Sequence, residues 1–494
     1  MLEDDILLGI FDYYRLDDEN DWNVRLGWWC TLSHVCRRWR YLIHSSALHL
    51  SMHIRCTNGS PIVDTLDHLP PLPLLIDYRD DGYWTVNRFH ECARNSRSLN
   101  ELGIYNALKL RDRVRDIELC VSHPTLGKSL LLMDKPFPIL ENLVLSFRGD
   151  DTSLTPLKIS PLFLAPHLRN LDLLGIHLPK RLRLLSSTPS LVSLKLTNIQ
   201  ASGYIRPRLL AARLESLPQL EELLIEFSIP IPRPRAERLL LGKQGTPVVL
   251  SNLKSITFRG VSAYLERLIS QIRAPVLWEL NITLFNQLAF TLTHLSQFIN
   301  ITEQIKFPRT ASIEFLPGTS ITLSHRVKRW HPGWNQGFTL DVMCKPLDWQ
   351  IDCAAQVCGA LMSALSGIES LTLIKSSSLL SRATSDSETN ENDYTTTWAE
   401  LLRSFVGVKE LGIDPVFIVE LSRTLELDEI GLDPGLLPDL QELKCIRYGN
   451  QTMHADNLFG SFIHARQVAG HPVSLRLPPR SQSVYYPPLP RSPS

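Results

Sequence analysis

The chain has 494 residues, too many for one compact hydrophobic core, so two domains or an elongated array are expected. Hydrophobic residues make up 44%, which excludes wholesale disorder, and 51 basic residues balance 51 acidic ones, which argues against nucleic acid or an anionic membrane as the main partner. There is no N-terminal secretory signal and no apolar run of the roughly 18 residues that a membrane span needs, so a cytoplasmic or nuclear protein is expected.

The first predicted element is a helix near the N-terminus. Leu2, Ile6, Leu7, Ile10, Phe11 and Tyr14 recur in steps of three and four, which places them on one broad helical stripe. Asp4 and Asp5 fall in its first turn, where the helix dipole favours carboxylates. The acidic stretch Arg15 to Arg25 reads as a solvated loop. A second stripe follows in Trp28, Trp29, Leu32, Val35, Cys36, Trp39, Leu42 and Ile43. Helices this apolar, within so few residues, cannot bury all of their surface against each other. The excess must face the rest of the chain or another protein.

Asp5-Ile6-Leu7-Leu8-Gly9-Ile10-Phe11, then Trp28 and Trp29, then Leu32-Ser33-His34-Val35-Cys36-Arg37-Arg38-Trp39-Arg40, resembles a fungal-type F-box. Glu3 stands where that family has proline after its first leucine, and the pattern starts almost at Met1. The N-terminal edge of a docking surface is therefore expected to be altered or clipped. The resemblance implies a three-helix module that docks onto the adaptor subunit of a cullin-RING (SCF-type) ubiquitin ligase and, through it, a cullin. The candidate adaptor-binding residues are Leu7, Leu8, Ile10, Phe11, Leu32, Val35 and Trp39. Each fully buried Leu, Ile or Phe contributes roughly 1.5–3 kcal/mol. Four to six such anchors can offset an association cost of several kcal/mol. Some of the seven must instead hold the helices together, and spacing does not say which.

After a linker comes a Pro-rich apolar run, with a strand expected over Leu72 to Tyr78 and a helix over Trp84 to Asn95. A Leu-x-x-Leu-x-Leu pattern then recurs, often with proline one or two residues ahead. Its clearest copies are Leu140/Leu143/Leu145, Leu168/Leu171/Leu173, Leu191/Leu194/Leu196, Leu220/Leu223/Ile225, Leu253/Ile256/Phe258 and Leu277/Leu280/Ile282, at steps of 28, 23, 29, 33 and 24 residues. Leu99/Leu102/Ile104 and Val114/Ile117/Leu119 are earlier candidates. Ile368/Leu371/Leu373, Val408/Leu411/Ile413 and Leu440/Leu443/Cys445 are later ones. Such periods mark a stacked array, in which the last two apolar residues line a strand and the first closes the turn before it. An ordinary α/β domain with Leu-rich strands is the alternative. Asparagine is missing after most of these leucines, so no stacked amide ladder is expected.

Helical fillers are expected at Arg206 to Leu217, Ser262 to Ile272, Phe290 to Phe298, Ile351 to Leu365, Trp398 to Phe405, Val416 to Leu425 and His454 to Val468. Strands all running one way, with helices between, imply a right-handed array with a parallel sheet inside. Residues 301–348 break the repeat, with strands at Ile313 to Phe315, Ile321 to Leu323 and Phe338 to Cys344. The connector Arg326 to Gly337, with Trp330 and Trp334, is either an exposed contact loop or a turn with its rings packed inward. Leu347-Asp348-Trp349-Gln350 and the run Phe462 to Val473 resemble the C-terminal half of fungal F-box proteins with degenerate leucine repeats.

The expected organisation is α/β: an N-terminal three-helix F-box at 1–50, a linker and first strands at 51–98, and an irregular leucine-rich-repeat-like right-handed solenoid at 99–477. Residues 376–397 read as a disordered insertion and 478–494 as a Pro/Ser-rich disordered tail. Nine scattered cysteines without Cys-x-x-Cys read as free, mostly buried thiols, Cys36 among them by its place in the apolar stripe. No phosphate-cradling, zinc-protease or nucleophile-elbow motif is present, and the histidines lack zinc spacing with cysteines. No catalytic residue, metal or cofactor is expected. The expected function is a non-catalytic substrate receptor, with a protein substrate on the solenoid; the alternative is a repeat scaffold without a ligase role.

Overall fold

A computed structural model describes residues 3–18, 28–46, 50, 52–58, 71–79, 101–148, 156–179, 183–230, 246–306, 308–316, 318–324, 337–344, 347–375, 394–429, 436–447 and 455–478. The fold is mixed α/β and its strands are mostly parallel, with fifteen α-helices among the described residues. The chain divides into two compact units, Met1–Leu253 and Lys254–Ser494. No helix among the described residues is long and apolar enough to cross a membrane.

The first unit opens with α1 (Asp4–Asp18), α2 (Trp28–Ser33) and α3 (Arg37–Ser45). Seven parallel strands follow, adjacent in chain order: β1 (Ile54–Cys56), β2 (Leu74–Arg79), β3 (Val114–Ser122), β4 (Asn142–Arg148), β5 (Asn170–Leu174), β6 (Ser193–Ile199) and β7 (Glu222–Phe227). Helices α4 (Glu101–Lys109), α5 (His123–Leu132), α6 (Arg183–Ser186) and α7 (Pro207–Leu214) lie between them in the chain. The repeat leucines stand in register. Ile76, Ile117, Leu143, Leu171, Leu194 and Leu223 form one row, and Tyr78, Leu119, Leu145, Leu173, Leu196 and Ile225 form the next. All twelve are buried. Because strand side chains alternate, this row-by-row burial leaves the intervening polar residues on the other face.

The first leucine of each repeat does a different job. Its N–H donates to the carbonyl three residues back: Leu140 to Phe137, Leu168 to Ala165, Leu191 to Thr188, Leu220 to Leu217 and Leu253 to Leu250. In four of these five turns proline follows the acceptor residue (Pro138, Pro166, Pro189, Pro218), where its fixed φ suits the second position of a turn. The next N–H then reaches the equivalent turn of the preceding repeat, as Arg169 to Glu141, Val192 to Arg169 and Glu221 to Val192, at 2.7–2.8 Å. One buried leucine thus both closes a turn and starts the ladder.

The second unit contains β8 (Ser255–Gly260), β9 (Glu279–Phe285), β13 (Ser370–Lys375), β14 (Glu410–Ile413), β15 (Glu442–Cys445) and β16 (Ser474–Arg476), and it repeats this device ahead of β9, β13, β14 and β15. Leu277, Ile368, Val408 and Leu440 close its turns. Between β9 and β13 the chain forms β10 (Thr310–Leu316), β11 (Gly318–Ser324) and β12 (Gly337–Met343). The strands of this stretch, which breaks the repeat, do not all run one way. The spatial order is β9-β12-β11-β10-β13, and β11 is antiparallel to both neighbours. One residue separates β10 from β11, and so short a connection can join antiparallel strands only; a parallel neighbour needs a crossover of a dozen or more residues. The apolar rows nevertheless continue unbroken, for example Phe258, Ile282, Leu340, Ile321, Ile313, Leu373, Ile413 and Cys445.

Helices of the second unit are α8 (Ser262–Ile269), α9 (Thr293–Ile301), α10 (Leu347–Ala360), α11 (Met362–Leu365), α12 (Tyr394–Arg403), α13 (Ile418–Glu429), α14 (Ala455–Leu458) and α15 (Gly460–Val468). Buried Glu266 on α8 caps α9, accepting from the N–H groups of His294 and Leu295, both at 2.8 Å. Phe315, Trp398 and Phe417 meet edge to face at 5.2–5.9 Å beneath β10. Leu437 takes a φ of 53°, costly for a bulky side chain, and the Arg466 guanidinium holds that turn by donating to the carbonyls of Leu437, Pro438 and Leu440.

Other expectations need correction. Leu102 and Ile104 lie in helix α4 rather than a strand, since one of them is exposed and the other buried on a helical period. The helix expected over Ile351 to Leu365 is two, broken at Leu361; the helix expected over His454 to Val468 is α14 and α15. Residues 394–397, expected in a disordered insertion, begin α12. The helix over Trp84 to Asn95, Leu99, the connector with Trp330 and Trp334, the rest of that insertion and the tail beyond residue 478 lie outside the described residues.

Two outcomes follow from this packing. Leu168→Ala removes a fully buried turn-closing side chain and should cost about 2–5 kcal/mol in urea unfolding. His177 is buried against Gly203, its Nδ1 3.4 Å from Ser202 Oγ, and burial holds its pKa below the usual histidine value, with Lys158 adding to the shift. The unfolded chain therefore takes up that proton first. This group leaves stability unchanged above about pH 6.5 and reduces it as pH falls from there. Thermal melts of wild type should show this slope, and His177→Gln should lack that part of it.

Candidate protein-docking surface

The N-terminal helices are held together by a small set of contacts. Leu7 and Phe11 of α1 are buried, and the Phe11 ring meets Trp39 of α3 edge to face at 5.0 Å. Trp29 and Leu32 of α2 are buried, as are Leu42 and Ile43 of α3. The Trp29 indole Nε1–H donates to the His53 carbonyl at 3.0 Å, which fixes α2 to the chain entering β1. Arg38 bonds Asp4 through Nε at 3.1 Å and through Nη2, so the first turn of α1 is tied to α3. Arg40 Nε donates to the Ser33 carbonyl at 3.0 Å and secures the end of α2.

The second apolar stripe is not continuous. It breaks between α2 and α3, where Val35 and Cys36 occupy the turn. Cys36 is exposed rather than packed, because it is the N-cap of α3: its sulfur accepts the Trp39 N–H at 3.4 Å. A short polar-capable side chain in extended conformation is what that position requires. The other six described cysteines are buried free thiols.

The seven candidate residues therefore separate into three groups. Leu7, Phe11 and Leu32 are interior and hold the module together. Leu8 and Trp39 are half-buried. Ile10 is 45% exposed and Val35 is 58% exposed, so these two present apolar surface outward. Sequence reasoning left out of the candidate set other exposed apolar side chains of these helices: Ile6 (49% exposed), Tyr13 (77%) and Tyr14 on α1, and Tyr41 (73%) on α3. The signal was available, because Ile6, Ile10 and Tyr13 are spaced four and three apart on the side of α1 opposite Phe11. Glu3 and Asp5 flank the strip on α1, and Arg37 and Arg40 are exposed on α3.

The polar faces of the sheets are the other broad surfaces. In the first unit Asp116, Asn142, Asn170, Ser193 and Glu222 form one cross-strand row. Asn142 Nδ2 donates to Asp116 and Asn170 Nδ2 donates to Asn142, so a short amide ladder exists after all. Its asparagines precede the strand leucine instead of following it, which is why the spacing did not reveal them. Asp77, Glu118, Asp172 and Lys195 line the same depression, of about 400 Å³. Arg79 bridges Asp77 at 3.2 Å and Glu118 at 2.9 Å, and Lys195 pairs with Glu222 at 2.8 Å. Burial pushes the Asp77 and Asp116 carboxyls above their ordinary range; Arg79 opposes the shift at Asp77, and the Asn142 hydrogen bond opposes it at Asp116. The second unit instead carries short hydroxyl and amide side chains across its centre, in the row Thr257, Asn281, Thr339, Thr322, Ser312 and Thr372. No three or more His, Cys, Asp or Glu side chains among the described residues are placed so that they could hold a metal ion together.

No protein-family model matches the chain, and no curated protein matches it either.

Phe11→Ala should cost about 3–5 kcal/mol in chemical unfolding, whereas Ile10→Ser should stay within roughly 0.5 kcal/mol of wild type. Equal losses would mean that both side chains are interior.

Proposed function

We propose that the chain is a substrate-receptor subunit of a cullin-RING (SCF-type) ubiquitin ligase. In this reading α1–α3 are an F-box that binds the adaptor subunit and, through it, a cullin. The remainder is a degenerate leucine-rich-repeat-like right-handed solenoid that binds a substrate protein. The observation that carries the reading is the apolar strip of Ile6, Ile10 and Tyr13 on α1, left exposed, with Val35 exposed in the turn before α3, while Leu7, Phe11 and Leu32 already close the interior of the three helices. An apolar strip on a small helical module that also exposes Arg37 and Arg40 has the composition of a contact surface whose centre is desolvated on binding. The resemblance of Val35-Cys36-Arg37-Arg38-Trp39-Arg40 to the fungal F-box supports the identity of the partner.

A receptor of this kind needs no reacting group of its own. It raises the effective concentration of substrate lysines near a loaded carrier enzyme. The polar sheet faces suit the substrate end of this task. Their outward positions are free of the packing demands on the leucine rows and carry ion pairs in both units, Lys195–Glu222 in the first and Lys444–Glu410 in the second, with a hydroxyl-rich row besides in the second.

Purified full-length protein should co-elute with the adaptor subunit in size-exclusion chromatography. The double variant Ile10→Lys/Val35→Asp should lose adaptor binding by at least about tenfold while its melting temperature stays within a few degrees of wild type. Wild-type protein that never associates with the adaptor would remove the receptor reading and leave a repeat scaffold.

A further inference from the structure

Gly9 lies in the interior of α1, where glycine is among the poorest helix formers. The chain itself supplies no reason for it. A Cβ placed on Gly9 would meet no heavy atom within 4 Å, and Gly9 is not among the glycines with positive φ. Neither crowding nor a left-handed backbone excludes a side chain there.

Its position on the helix is informative. At about 100° per residue, Ile6, Ile10 and Tyr13 fall within roughly 60° of each other, Gly9 about 40° to one side, and Asp5 about 40° farther round. Gly9 is thus a gap between an exposed apolar strip and an exposed carboxylate. A strip bordered by a missing side chain lets a second helix come close to the backbone of α1, as small residues do at close helix contacts.

We propose that Gly9 is the crossing point for a helix of the adaptor, an amphipathic helix whose apolar face covers Ile6 and Ile10. A Lys or Arg on the same helix passes over Gly9 to reach Asp5. The charge on Asp5 selects that cation, and the missing Cβ sets how closely the two backbones approach. This rests on the receptor reading above, and it assigns that surface a contact residue that its hydrophobic pattern does not contain.

The test uses full-length protein and the purified adaptor subunit, with melts of the free protein and titration calorimetry of the pair. Gly9→Ala should raise the melting temperature of the free protein by about 1–4 °C, since alanine favours the helix and finds open space. The same change should weaken adaptor binding about fivefold, and Gly9→Leu about a hundredfold, as added volume is forced into the contact. Asp5→Asn should flatten the salt dependence of binding. Opposite signs for fold and complex are the signature of a residue kept small for a partner. Should wild type bind while Gly9→Ala and Gly9→Leu bind equally well, the crossing point is wrong and the receptor reading stands. A lowered melting temperature in Gly9→Ala would assign the glycine to the fold and overturn the proposal. If wild type fails to bind, the receptor reading and the crossing point fall together.

Discussion

The structure depends on the hydrogen bond from the N–H of each leading leucine to the carbonyl three residues before it. That bond fixes where a strand starts. The buried leucine side chain fixes which face of the strand points inward, and the next N–H fixes the register with the preceding strand. Strands of four to seven residues, such as β14 and β4, are too short to persist alone. Those preceded by such a turn take their direction, face and register from it. The segments between turns carry no such duty, and their lengths vary freely across the repeats.

Much of this was legible because burial on one face of a strand leaves a period-2 trace, and the turn adds a leucine at a fixed offset before it. The pattern failed where a local length outweighed it. The single residue between Leu316 and Gly318 dictates a hairpin, but the strands expected at Ile313 to Phe315 and Ile321 to Leu323 are shorter than the real ones, so that gap shows only once the strand ends are known. Leu102 and Ile104 matched the leucine spacing and are helical, because two apolar residues two apart do not distinguish a strand from one turn of helix. At the N-terminus, periodicity located α1 but treated the whole apolar stripe as one face. It could not separate Phe11 from Ile10, which are adjacent in sequence and lie on opposite sides of the helix boundary between core and surface. Nor could it see that Cys36 caps α3, since a cap is defined by backbone geometry and not by hydrophobicity.

The three N-terminal helices and the strands show two ways of spending apolar surface. In the sheets the leucines of the two apolar rows are covered by their neighbours, and the polar side chains face outward. In α1 the apolar residues divide, and the half pointing inward is enough to hold the module. What remains outside is exposed apolar surface. The Asp4–Arg38 pair ties the first turn of α1 to α3, and the Trp29–His53 bond ties α2 to the chain entering β1.

The reversed order of β10, β11 and β12 bears on how the polypeptide is made. During synthesis β9 emerges with an unpaired edge, and its neighbour is β12, not the next strand to leave the ribosome. Two strands must appear, pair with each other as a hairpin and wait before that edge is sealed. The three-strand block is therefore a pause in an otherwise stepwise zippering of the sheet. A nascent chain halted before residue 337 carries an open template for pairing with the wrong neighbour.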